Sequence, residues 1–90
     1  MLIISYDIKD NKLRTQFAKT LTKQGAIRLQ YSVYEVNNTD RVLNNLRIMI
    51  EDLFAKMFGG GDSVMIFDVN GVKLKKYGNA IHRDQDIVYF

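Results

Sequence analysis

Two periods of hydrophobic and polar positions alternate along this chain, and each switch between them marks an element. Leu2 to Ile8, Leu-Ile-Ile-Ser-Tyr-Asp-Ile, is apolar on both parities and predicts a strand. Its only charge is Asp7, near the strand's exit. Asn11 to Gln24 changes to helical spacing. Leu13, Phe17 and Leu21 recur at i, i+4 and i+8 with Ala18 beside them, and Lys12, Thr15, Lys19, Thr22 and Lys23 fill the outer face. Asp10 and Asn11 offer N-caps, and Gly25 stands where a glycine stops a helix. Ala26 to Val36 returns to period two. Eleven residues exceed the usual strand of about five to six, so the segment predicts two strands turned near Gln30-Tyr31-Ser32.

Asn37-Asn38-Thr39-Asp40 reads as a turn, with Thr39 or Asp40 as the next cap. Arg41 to Phe58 predicts the second helix. Leu43, Leu46, Ile50, Leu53 and Met57 recur at threes and fours, with Met49 and Phe54 widening the stripe. Gly59-Gly60-Gly61 ends it; the Lys-Ser/Thr that completes a phosphate loop does not follow. Asp62 to Val69 predicts a strand, Asn70-Gly71 a hairpin turn, and Val72 to Tyr77 a solvated edge strand studded by Lys73, Lys75 and Lys76. Gly78 to Asp86 is loop-like, and Asp86 to Phe90 is one last strand-forming tail.

The predicted order is β-α-β-β-α-β with a C-terminal strand, in one domain over residues 1–90. It is the split β-α-β pattern of an α+β, ferredoxin-like fold. Two helices cover one face of such a sheet. The other face then holds one parity of strands that are apolar on both, in the first strand Ile3, Ser5 and Asp7. An uncovered apolar sheet face predicts a partner, most simply a second copy related by a two-fold axis with the sheets face to face. Residues 78–90 are free to dock on that copy or on another protein.

Charge and composition change this picture little. Thirteen basic against ten acidic residues give +3, which permits nucleic-acid binding through a local patch without requiring it. The chain has no cysteine, so disulfides and thiolate metal sites are excluded. No secretory leader pattern opens it, and no apolar run approaches the roughly 20 residues of a membrane span. A cytoplasmic location with no membrane partner is the expectation. The one histidine, His82, lies in a polar loop, and Ser5 and Ser32 lack an evident base. Carboxylate chemistry remains. Magnesium takes oxygen ligands, often one or two carboxylates plus water and phosphate oxygens. Two Asp7 side chains across a dimer axis would meet that need and could activate a water or stabilise a phosphate leaving group. The alternative use of Asp7 is to cap the following helix. Arg14 and Arg28 are the cations nearest this rim and could hold phosphates.

Tyr6-Asp7-Ile8, then Arg14, Leu21 and Gly25, and above all Gln30-Tyr31-Ser32-Val33-Tyr34-Glu35, resemble the CRISPR-associated adaptation proteins of the Cas-two family. The likeness concentrates in the first 36 residues. Beyond them Asp62-Ser63-Val64, the element order, the length and the C-terminal strand agree. The resemblance implies a ferredoxin-like homodimer with facing sheets. It implies a metal-dependent nuclease activity on RNA or DNA, and a place in spacer acquisition as a bridge between Cas-one integrase dimers along protospacer duplex DNA. It makes Asp7 the ligand of Mg²⁺ or Mn²⁺ at the dimer axis, with Tyr6, Arg14, Arg28 and Tyr34 as its catalytic surroundings. Tyr34 stands where the family usually has Phe. Gln16 replaces a second helix cation common in the family, which weakens the nuclease reading more than the scaffold reading. A stand-alone toxin-type ribonuclease of the virulence-associated D family is the alternative that this fold and strand-end acid also fit.

Overall fold

The computed structural model describes residues 1–69 and 74–78. Within them the strands β1 (Leu2–Asp7), β2 (Ile27–Gln30), β3 (Val33–Val36) and β4 (Ser63–Asp68) form one antiparallel sheet of order β2-β3-β1-β4. Helices α1 (Asn11–Lys23) and α2 (Asp40–Ile48) pack on one side of it. This is the expected ferredoxin-like α+β architecture. Period-two alternation in β1 sets the layers. Leu2, Ile4 and Tyr6 point into the core beneath the helices, joined by Ile8 just past the strand, while Ile3 and Ser5 are half-buried and Asp7 is exposed.

Register carries that alternation across the sheet. On the side away from the helices, Phe67, Ile3, Glu35 and Ile27 stand in one row, with Met65, Ser5, Val33 and Gln30 in the next. On the helix side, Ile66, Ile4, Tyr34 and Arg28 share a row. Tyr31 and Ser32 make the turn between β2 and β3, as the strand length required. Ser32 takes φ +64°, a left-handed conformation that costs a side-chain-bearing residue energy. Its carbonyl accepts the Tyr6 N–H at 3.1 Å, which ties the turn to the central strand.

Capping chemistry fixes α1 at both ends. Asp10 Oδ2 accepts the Leu13 N–H at 2.8 Å. At the other end the Ala26 N–H donates to Leu21 O and the Gly25 N–H to Thr22 O, the two reciprocal bonds of a Schellman turn. That turn needs a left-handed residue, and Gly25 supplies it at φ +89°. Leu13, Phe17 and Leu21 are buried as their spacing predicts. Thr39 caps α2 by accepting the Val42 N–H at 3.2 Å.

The second helix departs from the single run expected over Arg41 to Phe58. Its α-helical part ends at Ile48. Met49–Phe54 is π-helical, and Ala55–Met57 tightens to 3₁₀. The Ala55 N–H reaches back five residues to Ile50 O. The wider turn advances the inward face by an extra residue. Leu46, Met49 and Phe54 are therefore buried, while Leu53 and Met57, which a uniform 3.6 period places on the inner stripe, are exposed.

Leu74–Tyr77 lies outside any strand, so the edge strand expected over Val72 to Tyr77 is not formed there. Instead the Lys76 ammonium reaches the fully buried Glu35 at 2.5 Å. Burial of Glu35 needs such a partner, and this contact overrides the solvated role expected of Lys76. The Asn70-Gly71 hairpin, Lys73, His82 and the tail Asp86 to Phe90 lie outside the described residues.

An aromatic chain links the layers. Tyr34 stacks on Tyr6 at 6.1 Å, Tyr6 meets Phe17 edge-on at 4.9 Å, and Phe17 meets Phe54 edge-on at 5.0 Å. Phe17 is fully buried between both neighbours. Phe17→Ala is expected to cost about 3–5 kcal/mol, a large share of a small domain's stability. Denaturant unfolding measures it, and Phe17→Leu should lose much less.

Candidate functional site

Asp7 ends the outward row of β1, directly across from Ser63 of β4. Its carboxylate is exposed, and the Lys9 ammonium spans both oxygens at 3.1 and 3.0 Å. Asp10, not Asp7, caps α1, so Asp7 is not spent on the helix. An exposed pair of this kind contributes at most about 1 kcal/mol, so a more strongly charged ligand can displace Lys9. Asp62 braces the chain beside it. Its Oδ1 accepts the Lys9 N–H at 2.9 Å and its Oδ2 the Gly59 N–H at 2.8 Å. Those two backbone donors hold the Asp62 carboxyl below its ordinary range. The glycine run Gly59–Gly61 is thereby folded onto the exit of β1, and Gly61 takes φ +89° to allow it.

Among the described residues no three His, Cys, Asp or Glu side chains converge. Of the carboxylates at this rim, Asp62 is engaged by two backbone N–H groups, and Asp7 is held only by Lys9. A divalent cation could be held there only with water, a phosphate oxygen or a second copy completing the set.

The other four residues singled out in the sequence lie together, but on the helix side of the sheet. Tyr6, Arg14, Arg28 and Tyr34 line one cavity between α1 and the β2–β3 turn. Alternation in β1 puts Tyr6 and Asp7 on opposite faces. Arg14 donates to Ile8 O at 3.0 Å and to Asn11 Oδ1, which fastens the start of α1 to the end of β1. The Arg14 and Arg28 guanidiniums lie 6.0 and 5.9 Å from the ring centroid of Tyr31. Tyr31, at the turn three residues beyond Arg28, joins these residues only in the fold.

Tyr6 sits at the cavity floor, its hydroxyl against the side chains of Tyr34 and Ser32. Burial first, then the neighbouring Tyr34, pushes its phenol up to about 12, while the Ser32 hydrogen bond acts the other way. Tyr6 is therefore a neutral donor and acceptor at physiological pH and not a base.

A four-stranded antiparallel sheet with two helices on one face and an acid at the exit of its first strand defines a ferredoxin-like domain with a rim site. Residues 1–80 match the family model of the CRISPR associated protein Cas2, and the chain belongs to that family. It has a CRISPR-associated role. A search of curated proteins returns no match. Among the described residues, no helix is long and apolar enough to cross a membrane.

The raised Tyr6 phenol has a consequence at alkaline pH. The folded state holds the proton more tightly than the unfolded chain, whose tyrosine titrates near its ordinary value of about 10. The stabilisation is complete below that value and is lost as pH climbs toward about 12. Urea midpoints between pH 8 and 11.5 should fall further for the natural chain than for Tyr6→Phe.

Proposed function

We propose that the chain acts as a homodimeric scaffold in CRISPR adaptation, gripping the backbone of protospacer duplex DNA and bridging Cas-one integrase dimers. The observation that carries this reading is the sheet face left open by the helices. Met65 and Phe67 stand more than two-fifths exposed on it beside half-buried Ile3 and Val33. Apolar area of that kind favours self-association, and membership of the Cas2 family supplies the context. A two-fold copy packed on this face would bring a second Asp7 to the same rim. Contacts to phosphates position a protein on a duplex without reading its sequence, which is all that a scaffold requires.

The second reading, a metal-dependent phosphodiesterase acting on DNA or RNA, rests on Asp7. Its carboxylate is exposed, free of any capping duty and held only by Lys9. With Mg²⁺ or Mn²⁺ shared between two copies, Asp7 would hold the ion, and the ion would supply an activated water or charge neutralisation at a phosphate.

Two measurements separate these roles. Asp7→Ala is expected to reduce Mg²⁺-dependent cleavage to the level of a metal-free control while spacer integration with the integrase persists. Loss of integration by a folded, dimeric Asp7→Ala protein overturns the scaffold reading. Light scattering should give a dimer for the natural chain and a monomer for Phe67→Lys/Met65→Lys. Duplex affinity should fall steeply as salt rises, and a flat dependence would rule out the backbone mode.

A further inference from the structure

The cavity between α1 and the β2–β3 turn carries more charge than the fold requires. Its volume is about 520 Å³, within the range of small-ligand sites. Arg14, Lys19 and Lys23 face it from α1 and Arg28 from β2, and no acidic residue lines it. Lys19 and Lys23 stand four residues apart on the same helix face, where like charges repel. Among the described residues, neither they nor Arg28 takes part in an ion pair. The acceptors of Arg14 are all neutral: the carbonyls of Ile8 and Lys9 and the side-chain oxygen of Asn11. Four cations gathered around one concavity form a standing attraction for an anion.

The aromatic component narrows the anion. Tyr31 rises at the mouth with 66% of its surface exposed, although two guanidiniums stand about 6 Å from its ring. Ser32, bound through its carbonyl to β1, fixes the turn that presents it. An exposed ring and planar guanidiniums are surfaces on which a base stacks. The Tyr6 hydroxyl at the floor adds a neutral hydrogen-bonding group. The concavity is too small for a duplex, whose phosphates lie on a convex cylinder.

We propose that this cavity binds a nucleoside phosphate, its phosphate on Lys19, Lys23 and Arg28 and its base against Tyr31. The same chemistry is offered by a free mononucleotide and by the 5′-phosphorylated end of a single strand. The site lies on the face of the sheet opposite Asp7, and the inference requires neither the metal rim nor a dimer.

Titration calorimetry on the full chain tests it, with adenosine 5′-monophosphate, adenosine, inorganic phosphate, and a short oligodeoxynucleotide with and without its 5′-phosphate as probes. Adenosine monophosphate should bind at least about tenfold more tightly than adenosine or phosphate alone. Tyr31→Ala and Lys19→Gln/Lys23→Gln should each weaken it about tenfold or more, and Asp7→Ala should leave it unchanged. All the substituted side chains are exposed, and a thermal melt confirms that each variant is folded. Tighter binding of the phosphorylated oligonucleotide than of the mononucleotide identifies a strand end; the reverse order identifies a free nucleotide. Absence of mononucleotide binding, binding equal to that of phosphate, or binding indifferent to both sets of substitutions overturns the proposal. Calorimetry reports on this cavity and Mg²⁺-dependent cleavage on the rim, so failure of one reading is distinguishable from failure of the other.

Discussion

The register of the central strand is the constraint on which everything else depends. β1 pairs along its length with β3 on one side and β4 on the other. Its side-chain period of two therefore decides both layers at once. A slip of one residue would bury Asp7 and expose Leu2, Ile4 and Tyr6 together. The core cannot absorb that, because Tyr6 is the link between the sheet and Phe17, and Phe17 the link to Phe54 in the second helix. Holding Tyr6 inward and holding Asp7 outward are the same physical act.

That constraint divides the candidate residues between two faces. Outside stands Asp7, a bare rim with a displaceable lysine. Inside, beneath α1, lies a cavity lined with cations and tyrosines. Of the residues that the resemblance places around Asp7, Tyr6 adjoins it in β1 and so faces the other side of the sheet, where it meets Arg14, Arg28 and Tyr34. A pleated strand separates neighbours that a linear reading puts together. Arg14 also has a structural duty, since its guanidinium clasps Ile8 O where the chain leaves the sheet. Loss of activity on its removal would thus report the helix start as well as any ligand contact.

Much of the fold is legible in the sequence because local signals agree with burial. The Leu13, Phe17, Leu21 stripe with Asp10 before it and Gly25 behind it gave α1 with both boundaries. The excess length of Ala26 to Val36 gave a turn without a glycine or proline, although the left-handed cost at Ser32 gave no warning. The second helix was harder. Met49 and Phe54 are five apart, a spacing that a constant period leaves at the edge of the stripe, and only a widened turn brings both inward. The partner of Lys76 is not legible, because charge interleaved with apolar residues looks the same on a wet edge as above a buried acid. The acid that called for it, Glu35, is 41 positions away in sequence. Tyr31 is not legible as part of the cavity, because a turn residue's neighbours depend on which side chains the fold brings beside it.

The Glu35 and Lys76 pair has one further bearing on the open face. It stands in the same cross-strand row as Ile3 and Phe67, so the face is not a uniform greasy plane. Smooth apolar surfaces can slide and still recover most of their contact area. A desolvated ion pair set among them tolerates few positions, because displacement would force charge against hydrocarbon or admit water unevenly. Anything that docks here must fit around that fixed point. In the dimer proposed above the pair is a locating pin, restricting the ways two identical faces can be laid together.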